Sequence, residues 1–567
     1  MWPFTSSFKS IVEGKRAQRN AAIANAVAYT IEHQEYLNAT ATQIVQRIEK
    51  GEWTASGVLE AYIARAVQAH NKTNCLTEIL FEQARKDAKL LDTEFSKTGR
   101  LKGPLHGVPV SLKDQYDVSG VDTTIGFTQW ANNPAAADAS IVKQLRAAGA
   151  IPLAKTNVPQ TMLAFECSNP LWERTTNPWS AAHTCGGSSG GEAALLAMDG
   201  SALGVGSDIG GSLRIPASYC GVYALKPGFG RIAYTGSRGA NQGFEGVRVV
   251  SGPMSRSVED IELISRLVFG VQDDNYYPAP IPYRDVTLPA TLHFGYYTSD
   301  RFVKASPVCK RAVLETVEAL RLAGHKCTEL ELPEAPRPLE LFAGLTSADG
   351  YETLISPLGP DPKESSLFLV TLGPSMPDFV RRIASWAITT FIGDSIFGKL
   401  MLHSRKKTVA EYYKYTDLKN NYTRNWNQEV WGKYGFDGII APVQAMPALP
   451  HGGCDKLSPL AIATIQYNIV DSPVGVIPVT RVDPTLDQLT DEWRTASDHG
   501  SKLLEAELYG KNPVYNPELM KGLPVGVQVV GRKWEEEKVI AMMHVVDKVL
   551  KKKRTGFGPG SWTPSAV

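Results

Sequence analysis

Three serines stand inside two glycine clusters, GGSSGG at 186–191 and DIGGS at 208–212. Glycine weakens regular structure, so this density marks a backbone that turns sharply or approaches a ligand closely. A serine hydroxyl is a weak nucleophile and needs a base. No histidine lies within either cluster. Lys113 closes the apolar run 108–112, a setting in which burial can hold a lysine neutral and therefore basic.

Three chemistries compete for these residues. A phosphate cradle would use the glycine-rich loop as backbone donors, but Gly191 is followed by Glu192 and not by Lys-Ser or Lys-Thr, and no GxGxxG occurs. A nucleophile elbow fits G-x-S-x-G around Ser188, and equally around Ser189. An elbow wants a strand directly before it, whereas NPWSAAHT at 177–184 reads as loop. The third chemistry is a serine hydrolase with a lysine base. Lys113 would be the base, and DIGGS would set a nucleophile among free backbone amides that can hold an oxyanion.

The surrounding elements alternate. Residues 54–71 carry Val58, Leu59, Tyr62, Ile63 and Val67 at helical spacing behind a Thr/Ser start. Residues 138–150 predict a helix capped by Asp138 and stopped at Gly149. Residues 151–157 and 202–208 predict strands, and 191–200 a helix between them. FDGIIAP, SPVGVIPVT and LPVGVQVV predict further strands, the last followed by a terminal helix. Strands and helices in alternation imply an α/β/α domain around a central mixed β-sheet covered by helices. No Gly-, Ser- or Pro-rich linker divides it.

With 59 basic and 58 acidic residues the formal charge is +1, so no basic excess points to nucleic acid. The basic runs 405–407 and 551–554 read as solvated faces. Seven scattered cysteines without a CxxC pair argue against a disulfide framework and against structural zinc, and for a reducing compartment, the cytoplasm. Cys185 and Cys220 read as small core residues. Residues 21–31 read as helix and not as a secretion signal, and no run reaches the roughly 18 apolar residues of a membrane span.

Together GVPVSLKD at 107–114, GGSSGG, and GGSLRIPASYCGVYALKPGFG at 210–230 resemble the signature of the amidase signature family. Within it the chain is most similar to fungal acetamidase-type and fatty acid amide hydrolase-like enzymes, the latter through TNVPQTMLAFECSNPLWERTTNPW at 156–179. The resemblance runs from about residue 40 to about 550. It divides the chain into an N-terminal helical extension at 1–39, the amidase domain at 40–555 and a tail at 556–567.

The resemblance implies a Ser–Ser–Lys triad. Ser212 is then the nucleophile that forms the acyl-enzyme. Ser188, after a cis peptide from Gly187, is the bridging serine, and Lys113 is the base. The amides of Ile209, Gly210, Gly211 and Ser212 form the oxyanion hole, and Met162 contacts substrate. Ser189, Asp208 and Arg214 support the site from behind. For the last two, a buried ion pair is preferred to a direct catalytic part. His106 and His183 receive no role.

The reaction implied is hydrolysis of monocarboxylic acid amides without metal or organic cofactor. Long-chain fatty amides or N-acylethanolamines are the alternative substrates. An esterase with a serine–histidine pair and an amidotransferase subunit rank lower. The apolar segment 366–404 reads as a pair of buried helices, as the lining of an acyl channel, or as an interfacial cap in peripheral contact with membrane. A homodimer is compatible with the sequence.

Overall fold

The computed structural model describes residues 8–275, 277–495, 500–551 and 556–562. In chain order its strands are β1 (Leu76–Ile79), β2 (Pro109–Lys113), β3 (Ile151–Thr156), β4 (Thr176–Asn177), β5 (Ser180–Thr184) and β6 (Leu203–Asp208). There follow β7 (Tyr223–Lys226), β8 (Val250–Ser255), β9 (His293–Tyr296), β10 (Lys326–Glu329), β11 (Gly438–Pro442), β12 (Val474–Arg481) and β13 (Pro524–Val530). Eleven of them form one mixed sheet in the order β1-β3-β2-β6-β8-β7-β12-β13-β11-β9-β10. β2 runs parallel to both neighbours, β3 and β6, while β6 meets β8 antiparallel. Every residue of β2, β3 and β6 is buried, as parallel strands covered on both faces require.

Parallel neighbours end on the same side of a sheet. β2 and β6 are in register from Val110 opposite Leu203 to Leu112 opposite Val205. Lys113 and Asp208 therefore emerge at the same, carboxyl-terminal edge, where open α/β sheets present their ligand sites.

The expected elements shift at their ends for identifiable reasons. The first long helix spans Ala55–Thr73, with Thr54 accepting the Gly57 amide at 3.0 Å and Asn74 closing it in the left-handed conformation. The next predicted helix begins at Ser140, and Asp138 does not cap it. Its carboxylate instead accepts from the Ser119 amide at 2.8 Å and pairs with Arg146. NPWSAAHT is not plain loop: it holds the last residue of β4 and all of β5, a hairpin apart from the main sheet. The N-terminal helix is Phe8–Ala24 and stops before most of the predicted 21–31 segment. It is tied to the body by Lys15 to Glu78 and Asp122, and by Arg16 to Glu173.

The apolar segment is not a pair of buried helices. It folds as helices Phe368–Ser375, Asp378–Ala387 and Ser395–His403. Phe379, Ile383, Trp386 and Phe391 stand 58–76% exposed on its outer side. Three latches fasten this cap. Asp361 accepts the Thr128 amide at 2.9 Å. The Gln160 amide bonds the backbone of Pro362 and Glu364. Asp394 caps the last cap helix through the Phe397 amide and also accepts from Ser501 Oγ and the Leu503 amide.

The basic run at 405–407 is not all solvated face. Lys407 turns inward and donates to the carbonyls of His403 and Arg405, each at 2.8 Å, closing the end of that helix. Lys551 pairs with Asp547, and residues 552–554 lie outside the described ones. No helix among the described residues is long and apolar enough to cross a membrane.

Candidate active site

Lys113 is removed from water altogether. Burial pulls its ammonium from the ordinary lysine range down to about 7, although Asp208, Cys167 and Glu192 act in the opposite sense. Its Nζ lies 2.7 Å from Ser188 Oγ and 2.8 Å from Ser207 Oγ. Glu192, on the helix Gly190–Ala197, is equally buried. Desolvation raises its carboxyl to about 8 against hydrogen bonds from Ser111 Oγ (2.6 Å) and Thr156 Oγ1 (2.9 Å). A neutral carboxyl here leaves the lysine without a full counter-charge on that side.

The GGSSGG turn reaches this point only because its glycines lack Cβ atoms. At Gly187 a Cβ would meet Ala164 O at 2.8 Å and Phe165 Cα at 3.0 Å. The Gly187–Ser188 peptide is cis. Ser189 links the two serine loops: its amide donates to the Ser212 carbonyl at 3.1 Å, and its Oγ lies 3.4 Å from the amide and the carbonyl oxygen of Ser207.

Asp208 and Arg214 form a fully buried ion pair with Arg214 Nε and an Nη each at 3.0 Å from a carboxylate oxygen. Burial alone would raise the Asp208 carboxyl. The Arg214 charge and its hydrogen bonds outweigh this and hold it well below the usual range. Arg214 also donates to Gln528, Asn468 and the Thr464 carbonyl. Neither residue lines the cavity beside Ser212.

The loop 208–212, expected to hold an oxyanion, departs from expectation at one place. The Gly211 amide donates to Asp208 Oδ1 at 2.8 Å, in a backbone turn with φ of +131°. It is therefore not a free donor. Its missing Cβ matters instead for packing, since a Cβ would lie 2.3 Å from Thr464 Oγ1. The amides of Ile209, Gly210 and Ser212 have no acceptor among the described residues.

A cavity of about 180 Å³ opens on Ser212, more than ten times what one ordered water needs. Met162, Ile209, Gly210 and Ser212 line it, whereas Ser188 and Gly211 sit behind its wall. Its far wall is built by the cap, through Leu369, Leu372, Phe397 and Leu400. No charged side chain and no histidine lines it. His106 is buried away from it with Nδ1 accepting the Lys102 amide, and His183 Nδ1 is bonded to Ser180 Oγ.

The sequence reading missed Ser207, Gln115, Glu192, Thr464 and Asn468. Thr464 and Asn468 lie far along the chain, and no local pattern marks them. Ser207 adjoins Asp208, and Gln115 lies two residues past Lys113.

A buried lysine bonded to a serine hydroxyl, a glycine-rich loop with unengaged amides and an apolar pocket suit an amide-cleaving hydrolase. The family model for Amidase matches residues 57–540, and the chain belongs to this family. It is 34% identical over 560 residues to Amidase 1 of Gibberella moniliformis, covering 96% of this chain and 99% of the relative. It is 32% identical over 524 residues to the Acetamidase of Emericella nidulans, covering 90% and 89%. Among solved structures, a fatty acid amide hydrolase superposes with a TM-score of 0.79 at 26% identity, over 97% of this chain and 91% of that one. The protein is thus an amide-hydrolysing enzyme of the amidase signature fold.

Proposed function

We propose that the enzyme cleaves linear monocarboxylic acid amides bearing an apolar acyl group, through an acyl-enzyme on Ser212. The observation that carries this is Lys113, dry and 2.7 Å from Ser188, both behind the wall of an uncharged cavity that opens on Ser212. Neutral Lys113 takes the Ser188 proton as Ser188 takes that of Ser212. Ser212 Oγ attacks the carbonyl carbon. The amides of Ile209, Gly210 and Ser212 receive the oxyanion. The proton returns through Ser188 to the leaving nitrogen, and ammonia or an amine departs. Water then repeats the relay on the ester and releases the acid.

The size and lining of the cavity favour acyl groups longer than acetyl. Each methylene buried is worth about 0.8 kcal/mol. A series of straight-chain primary amides tests this on the purified enzyme. kcat/KM is expected to climb with chain length until the cavity is filled. A fluorophosphonate should label Ser212 in the same preparation. Activity greatest on acetamide and falling with length would overturn the acyl assignment, and labelling at another serine would overturn the nucleophile.

A second reading is favoured by the outer face of the cap. Phe379, Ile383, Trp386 and Phe391 are exposed together with Arg382 nearby, the composition of an interfacial helix. In this reading the enzyme takes fatty amides from a membrane surface by peripheral contact. Co-sedimentation with liposomes is its test, and a protein that stays in the supernatant overturns it. The absence of histidine from the cavity lining counts against a serine–histidine esterase, and the seven buried, unpaired cysteines support a cytoplasmic setting.

A further inference from the structure

We infer that Ser207 and Gln115 are positioning residues that fix the direction of the hydrogen bonds around Lys113 and so aim its lone pair at Ser188. The inference rests on the triad reading above. Ser207 Oγ touches Lys113 Nζ at 2.8 Å and Gln115 Oε1. Gln115 is buried, and its other end donates from Nε2 to Tyr234 Oη at 3.1 Å.

Once Lys113 has accepted the proton of Ser188 it is an ammonium, with three donors and no acceptor. Ser207 can then only accept from it. The Ser207 proton then goes to Gln115 Oε1, because a reversed amide would donate to the same hydroxyl oxygen and leave that proton without an acceptor. The same amide orientation holds the Ser207 proton when Lys113 is neutral. A neutral amine has two N–H groups and one lone pair. One N–H is given to Ser207, which leaves the lone pair to face the Ser188 hydroxyl at 2.7 Å. Without Gln115 the Ser207 hydroxyl is free to turn and donate into that lone pair, in competition with Ser188. The charged or titratable groups that face Lys113 are Asp208, Glu192 and Cys167, and none of them receives the Ser207 proton.

The test compares Gln115→Leu, Ser207→Ala, the double variant and Ser207→Thr with the wild type. kcat, KM and the pH profile are measured on one soluble apolar amide, with Lys113→Met as reference. Gln115→Leu is expected to lower kcat at least about tenfold with KM little changed, part of the roughly 10²–10⁴-fold that a positioned base supplies. Its acid limb moves to lower pH, because the freed hydroxyl stabilises the neutral amine. The double variant regains the higher rate of Ser207→Ala, since no competing donor is left. Ser207→Thr keeps the wild-type profile.

A double variant as slow as Gln115→Leu, or an unmoved acid limb in Gln115→Leu, overturns the inference. If Gln115→Leu does not fold by its melting curve, the serine variants decide, and equal profiles for Ser207→Ala and Ser207→Thr overturn it. An active Lys113→Met overturns the triad reading and this inference with it. An inactive Lys113→Met beside purely additive losses overturns this inference alone.

Discussion

Lys113 Nζ and Ser188 Oγ stand 2.7 Å apart, and the lysine carries no full counter-charge within hydrogen-bond reach. As the proposed base, Lys113 must be neutral to accept a proton. Its ammonium, lowered to about 7 by burial, implies that kcat/KM rises with pH through that region and levels above it. Below it the slope should be one proton, about tenfold per pH unit. A pH profile of kcat/KM on an amide whose own charge does not change checks this, and Lys113→Ala should remove roughly 10²–10⁴-fold of the activity.

The same burial is a stability statement. In the unfolded chain a lysine titrates near 10.4, so between about pH 7 and that value the unfolded state binds the extra proton. Stability contributed at this site therefore rises with pH across that window. At and below pH 7 the native state bears the full penalty, on the order of 4 kcal/mol at about 1.4 kcal/mol per pKa unit. Lys113→Met should consequently be inactive yet melt higher than wild type at pH 7. The gain should shrink towards pH 10. Melting curves at both pH values provide the measurement.

Asp208 and Arg214 are both completely buried. Removing one partner of such a pair leaves an uncompensated charge and costs about 3–5 kcal/mol. Asp208→Asn should lower the chemical denaturation midpoint by that order. Asn keeps a single acceptor oxygen, so the amide of either Gly211 or Leu213 loses its acceptor beside Ser212, and activity should fall further than the loss of folded protein explains.

Chain-length preference should respond to the cap and not to the sheet. Leu400→Trp narrows the far wall of the cavity. Long amides should lose kcat/KM by about tenfold or more, roughly two methylenes of burial at about fourfold each, while the shortest substrates keep theirs. The ratio of kcat/KM for a long and a short amide is the readout.

Gly187→Ala should abolish turnover, because the added methyl would press on the Ala164 carbonyl and the Phe165 backbone rather than on a movable side chain. Gly452→Ala, where nothing lies within 4 Å of the new Cβ, serves as control, subject only to the ordinary strain of its positive φ. Activity assays on both, with melting curves, separate the two cases.

Much of this was readable from the chain. The strand that ends in Lys113, the two glycine clusters and the alternation of strands and helices are local patterns, and locally encoded elements appear where periodicity and flanking residues place them. Asp138 could not be read as freed from capping, because its partners Ser119 and Arg146 are fixed by tertiary packing. The hairpin at 176–184 is hidden for a related reason: its strands are two and five residues long and show no alternation of buried and exposed positions. The Gly211 amide could not be read as engaged by Asp208, because backbone direction there depends on a φ that no side chain announces. Thr464 and Asn468 reach the loop from a helix more than two hundred residues away, which makes them invisible to any motif.

The latches at Asp361, Gln160 and Asp394 have an evolutionary consequence. They fasten one contiguous stretch, 361–403, that supplies Leu369, Leu372, Phe397 and Leu400 to the far end of the cavity, while the proposed triad stands on other stretches at the sheet edge. Reach and reactivity are thereby written in separate passages of the gene. Drift within the fastened stretch can retune the enzyme's diet while the proposed proton relay is inherited unchanged.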